Sequence, residues 1–191
     1  MKIRHIFAEI SKEINTTNII LLNGARQTGK TSLLRMIETK LLSEGLATTE
    51  QIHFYDLEKI TDLDLWSSQS AITSLPYIRD TSNRQFVFID EFQHSKKIGS
   101  ILKVLHDHYP HVKLIITGSA SWYTSIDESM AGRKQVFSIW PLSFSEYIEW
   151  QNDLSLLEQW KNAKASILTT PKSIVEQINR ALLQYMTFGG Y

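Results

Sequence analysis

Asn18-Ile19-Ile20-Leu21-Leu22-Asn23-Gly24-Ala25-Arg26-Gln27-Thr28-Gly29-Lys30-Thr31 is the stretch that decides the fold. A short apolar run enters glycine, and a helical pattern of apolar residues resumes behind Lys30. Residues 24–31 satisfy G-x-x-x-x-G-K-[ST] at every specified position. Its glycines let the backbone curl so that successive N–H groups face inward at phosphate oxygens. The helix starting near Lys30 directs its positive dipole end at the same point. Lys30 is then expected on the β- and γ-phosphates of a nucleotide, and the Thr31 hydroxyl on Mg²⁺. A glycine turn that happens to carry a lysine is the bland alternative. The apolar strand before the motif and the helix after it are the context that the phosphate reading requires.

Outward from this loop, apolar runs and helical patterns alternate. Strands are expected at Asn18–Asn23, Gln51–Leu57, Gln85–Asp90, Val112–Thr117 and Lys134–Ile139. Helical spacing is expected over Lys2–Ile14, Thr31–Leu42, Ile98–His108 and Ser145–Lys164, with a last helix opened by Thr170-Pro171. A polar, Ser-rich stretch runs from Trp66 to Ser74 and is punctuated by Pro76. Five strands alternating with helices predict an α/β fold, a parallel sheet covered on both faces. The expected organisation is a core over residues 1–144 and a helical segment over 145–191. The terminal Gly-Gly-Tyr reads as an interruption, as though a second domain followed.

Phe86-Val87-Phe88-Ile89-Asp90-Glu91 is an apolar strand that ends in two acids. Beside a phosphate loop, an aspartate at a strand's C-terminal end holds the Mg²⁺ hydration shell, and Asp90 fits that role. Glu91 is placed to polarise a water for in-line attack on the γ-phosphate. A competing metal aspartate is Asp56, at the end of His53-Phe54-Tyr55-Asp56, although that strand is less apolar and has no second acid. Thr117 and Ser119, at the end of the Leu114–Ile116 run, are candidates to contact the γ-phosphate or the water; a turn without contact is the alternative. Arg133 follows Gly132 before the last strand, where it is a candidate arginine finger for a neighbouring copy or an ordinary surface arginine.

Composition narrows the remaining classes. Twenty basic residues balance twenty acidic ones, so no positive excess exists to neutralise a nucleic-acid backbone, though a local patch stays open. There is no cysteine, hence no disulfide, thiolate nucleophile or zinc–thiolate site, in keeping with a reducing cytoplasm. No apolar run is long enough to span a bilayer. His94, His106, His108 and His111 read as solvated or dipole-paired rather than metal-binding. The tryptophans Trp66, Trp122, Trp140, Trp150 and Trp160 read as core or subdomain packing.

The assembled set resembles a family of prokaryotic AAA-like ATPases usually followed by a C-terminal domain of unknown function, DUF4143. The resemblance is carried by residues 24–34 (Gly-Ala-Arg-Gln-Thr-Gly-Lys-Thr-Ser-Leu-Leu), 88–93 (Phe-Ile-Asp-Glu-Phe-Gln), 117–120 (Thr-Gly-Ser-Ala), 131–133 (Ala-Gly-Arg) and 141–147 (Pro-Leu-Ser-Phe-Ser-Glu-Tyr). It implies a P-loop three-layer sandwich with sheet order 5-1-4-3-2, the Thr117 strand lying between the Asp90 and P-loop strands. It also implies nucleotide binding by Gly24, Ala25, Arg26, Gln27, Thr28, Gly29, Lys30, Thr31 and Ser32. Mg²⁺ falls to Thr31 and Asp90, and catalysis to Glu91, Gln93, Ser119 and Arg133. The resemblance assigns no second-sensor arginine on the C-terminal helices, where Arg180 is the only candidate.

The leading expectation is an Mg²⁺-dependent ATPase module that gates or moves an attached C-terminal domain, with Arg133 supplied between copies of a homo-oligomer. An ATP-dependent switch with negligible turnover is the alternative. Phosphoryl transfer to a small molecule ranks last, for want of an arginine-rich lid.

Overall fold

The computed structural model describes residues 3–119 and 130–189. Ala120, Trp122 and the closing Gly190-Tyr191, all singled out above, lie outside the described residues. Two compact units are present, residues 6–139 and a second unit formed by the residues up to His5 with those from Trp140 onward.

The larger unit is built on five parallel strands: β1 (Ile19–Gly24), β2 (Ile52–Asp56), β3 (Gln85–Asp90), β4 (Val112–Gly118) and β5 (Lys134–Ile139). Their order is β2-β3-β4-β1-β5, the expected 5-1-4-3-2 read from the other edge, and every neighbouring pair is parallel. Strand residues alternate between faces, and here both faces are buried. Ile19, Leu21, Val87, Ile89, Leu114 and Ile116 join one apolar layer with Ile98, Ile101, Leu102 and Leu105 of α6 (Ile98–His108). Ile20, Leu22, Phe86, Phe88 and Ile115 join the opposite layer with Ile10 of α1 (Phe7–Glu13) and Leu33, Leu34, Ile37 and Leu41 of α2 (Lys30–Ser43). The continuous apolar runs of β3 and β4 follow from being covered twice.

Between β2 and β3 the chain forms α3 (Ile60–Leu65), α4 (Gln69–Thr73) and α5 (Pro76–Arg79). The Ser-rich stretch is therefore partly helical. Ser68 opens α4 by accepting a hydrogen bond from the Ala71 N–H at 3.4 Å, and Pro76 opens α5, as serine caps and first-turn prolines do. The first helix also begins at Phe7, later than the periodicity predicts.

The second unit holds α7 (Phe144–Trp150), α8 (Leu154–Ala165) and α9 (Lys172–Gln184) around Phe144, Ile148, Leu157, Ala163 and Ile178. The single helix expected over 145–164 is in fact α7 and α8. Asn152 takes a left-handed φ of 60°, and Asp153 caps α8 through the Leu156 N–H at 2.9 Å. Trp66 is fully buried and Trp160 meets the Phe144 ring edge-on, but Trp140 is 74% exposed and is no core residue. No helix among the described residues is long and apolar enough to cross a membrane.

Candidate nucleotide-binding site

With this strand order, the C-terminal ends of β1, β4 and β3 are neighbours. Ligands of open parallel sheets sit outside such ends. Here those ends carry Gly24, Thr117-Gly118 and Asp90.

The loop after β1 is held by its own hydrogen bonds and by glycine. A Cβ on Gly24 would lie 2.3 Å from the Ile139 carbonyl oxygen, so only glycine fits beside β5. Gly29 caps α2 with a left-handed φ of 87°. Gln27 also has positive φ, 64°, an uncommon state for a side-chain-bearing residue and one that clusters at ligand sites. The Thr28 hydroxyl donates to the Ala25 carbonyl at 2.9 Å. Lys30 is 4% exposed, and its Nζ donates to the carbonyls of Gly24 (3.1 Å) and Ala25 (2.8 Å). The same Nζ stands 3.9 Å from Glu91 Oε1. A buried ammonium is thus poised at the mouth of the loop, while Ala25, Arg26, Gln27, Thr31 and Ser32 are exposed around it.

Asp90, 7% exposed, ends β3. Its Oδ2 accepts the Thr31 hydroxyl at 2.6 Å, and its Oδ1 accepts the hydroxyl of fully buried Thr117. Thr117 Oγ1 in turn accepts the Glu91 backbone N–H at 3.1 Å. Glu91 has φ 53°, another left-handed non-glycine, and turns the chain out of the strand. Its Oε2 accepts the Gln93 side-chain amide, and Gln93 Oε1 accepts the Ser119 backbone N–H at 3.4 Å. The turn is packed tightly onto β4: a Cβ on Gly118 would lie 2.3 Å from the Phe92 ring.

The structure therefore brings Lys30, Thr31, Asp90, Glu91, Gln93 and the Ser119 backbone together around one strand end. Thr117 is the polar hinge of this set. Asp56 lies beside Asp90 in register, but its carboxylate accepts the Glu58 N–H at 3.1 Å and lies 3.8 Å from Lys59. Thr31 selects Asp90 and leaves Asp56 to cap a turn.

Arg133 does not join the site. It precedes β5, whose Lys134 and Ile139 pair with Ile19 and Gly24. Six residue steps at about 3.3 Å each separate it by roughly 20 Å along the sheet from the loop after β1. There its Nε and Nη2 donate to Asp107 Oδ1 (2.7 Å) and Oδ2 (3.1 Å). Arg180 lies on α9 in the second unit. His106 Nδ1 lies 3.1 Å from Asp107, and His111 Nε2 lies 2.9 Å from the Ile78 carbonyl. Among the described residues no group of three or more His, Cys, Asp or Glu is placed to cage a metal ion.

Residues 16–148 match the AAA domain family, AAA_14. Saccharomyces cerevisiae RIF2 is similar in structure, with a TM-score of 0.52 at 13% identity over 97% of this chain and 70% of that one. Drosophila ORC, solved with GC-rich DNA and Cdc6, gives 0.50 at 12% identity over 95% and 81%. C. elegans PCH-2 gives 0.50 at 18% identity over 83% of this chain and 44% of its own. At such identities the likeness is one of fold. No curated protein matches in sequence.

Proposed function

The chain belongs to the AAA domain family, a nucleotide-binding fold of the ATPase type, and from that premise we propose that it binds ATP with Mg²⁺ and hydrolyses the β–γ phosphoanhydride. The observation that carries this reading is the chain of contacts from Thr31 through Asp90 and Thr117 to Glu91. It ties a phosphate loop to one carboxylate suited to a metal and to another facing the Lys30 ammonium.

The donor set fits Mg²⁺, which takes hard oxygen ligands, usually one or two from protein with the rest from water and phosphate. Asp90 and the Thr31 hydroxyl, already in contact at 2.6 Å, would hold it. Bound there, Mg²⁺ would supply positive charge against the phosphates. Lys30 exchanges its carbonyl partners for phosphate oxygens, a stronger charge-assisted bond. Glu91 takes a proton from water as that oxygen bonds to the γ-phosphorus; the bridging P–O bond breaks and its electron pair leaves with ADP. Gln93 holds the Glu91 carboxylate in the meantime.

On this reading the unit of residues 6–139 is the ATPase core, and hydrolysis in it moves or gates an attached C-terminal domain. Arg133 contributes only across a contact between copies, because its own phosphate loop is out of reach. That same distance favours a second reading, a binding switch with negligible turnover in an isolated copy. A calorimetric titration of Mg·ATP into the parent chain and Lys30→Ala tests the common premise. Loss of binding in a folded Lys30→Ala chain is expected, and unchanged affinity would overturn it.

A further inference from the structure

We infer that Asp107 is a latch on Arg133, holding its guanidinium in an intramolecular ion pair that the γ-phosphate bound to a second copy of this chain must displace. The inference rests on the reading of Arg133 as a group shared between copies, and adds how it is restrained before the copies meet.

Three observations carry it. The Arg133 backbone is tied into the sheet, its carbonyl accepting the Ile19 N–H at 2.8 Å, whereas its guanidinium is held by side-chain contacts to Asp107. The ion pair is two-pronged, Nε to Oδ1 at 2.7 Å and Nη2 to Oδ2 at 3.1 Å. This is the fork geometry by which arginine also takes phosphate. Finally, both side chains remain about 30% exposed, so an incoming anion can reach them, and exposed ion pairs are weak enough to exchange.

The surroundings favour a cation parked at this point. Asp107 is next to last in α6, whose C-terminal end is the negative end of the helix dipole. The Arg133 hydrogen bonds, with a smaller contribution from His106, hold the Asp107 carboxyl down to about 2. It is therefore ionised throughout the neutral range. A γ-phosphate offers more charge and the same bidentate geometry, so it competes with Asp107 for one guanidinium. Asp107 is thus a positioning residue that acts through Arg133. A plain surface staple between α6 and β5 is the competing account, and it makes different predictions.

The test compares parent, Asp107→Asn, Arg133→Ala and the double variant as whole chains, with ATP affinity, turnover against protein concentration, and melting temperature. The latch predicts unchanged ATP affinity in Asp107→Asn and turnover raised about two- to fivefold, the scale of one exposed ion pair. The double variant should behave as Arg133→Ala. Sedimentation with a non-hydrolysable ATP analogue gives a readout independent of turnover: Asp107→Asn should associate at lower protein concentration than the parent. Turnover lowered in Asp107→Asn would show that Asp107 presents the arginine productively, and overturn the latch. A lowered melting temperature with unchanged turnover and association would make the pair a staple, and would overturn the latch equally. If Arg133→Ala matched the parent in both assays while ATP still bound, the shared-residue reading beneath the latch would fall with it, leaving ATP binding intact.

Discussion

Thr117 joins the two acids to which the proposed chemistry is assigned, donating to Asp90 and accepting from the Glu91 backbone. Fully buried, it has no water to replace a lost partner. Thr117→Val keeps the shape and removes the hydroxyl, leaving two polar groups unmatched at a cost of about 1–3 kcal/mol. We expect a lower melting temperature and Mg²⁺-dependent ATP affinity reduced about tenfold, read by calorimetry with and without Mg²⁺; parent-like affinity would make Thr117 purely structural. Much of this site was legible in the sequence, because phosphate geometry dictates the spacing of Gly24, Gly29, Lys30 and Thr31 and a strand end dictates Asp90-Glu91. Thr117 and Ser119 were not separable there. Both are small polar residues at one strand end, and only the contacts around β4 decide that Thr117 offers its hydroxyl while Ser119 offers its backbone N–H.

At the scale of elements, two close contacts set the tolerances. Gly118→Ala must push a Cβ into the Phe92 ring, and overpacking of this kind costs about 1–3 kcal/mol. Since Phe92 lies between Glu91 and Gln93, turnover should fall more than ATP affinity; equal losses in a steady-state assay would contradict that. In the helical unit, Glu146 accepts the Ser143 and His5 backbone N–H groups at 2.9 Å each and the Arg4 Nε at 3.0 Å. Burial pushes its carboxyl up, but these donors outweigh burial and hold it down to about 2, against 4.5 for the free side chain. A depressed carboxylate stabilises fully above its unfolded value, and that contribution fades as pH falls through the folded one. Thermal stability should therefore decline from about pH 4.5 towards pH 2. Glu146→Gln should lose on the order of 2 kcal/mol at neutral pH and flatten this dependence; a parent-like acid profile would contradict the assignment. The Ser143–Glu146 capping box starts α7 at Phe144, one residue before the helix expected from Ser145. The break at Asn152-Asp153 was not legible in the sequence, because apolar residues keep helical spacing across it and the left-handed turn is a property of two residues.

For the molecule as a whole, sheet order followed from the resemblance and is borne out, since β4 lies between β1 and β3. The position of Arg133 was beyond sequence: only the β1–β5 register reveals that it stands at the far end of the sheet from Gly24. A residue so placed acts between copies or not at all. Arg133→Ala mixed with Lys30→Ala should then recover turnover that neither has alone, in proportion to the mixed contacts and dependent on protein concentration. Absence of rescue in confirmed mixed assemblies would remove Arg133 from the mechanism. Beneath all of this lies the claim that the two acids divide the labour, Asp90 for the metal and Glu91 for the water. Single-turnover cleavage of Mg·ATP by Glu91→Gln, at protein concentrations that saturate the nucleotide, tests it most directly. The account predicts ATP bound with parent affinity and cleaved about 10²- to 10⁴-fold more slowly, the usual contribution of a general base; cleavage at the parent rate would contradict it.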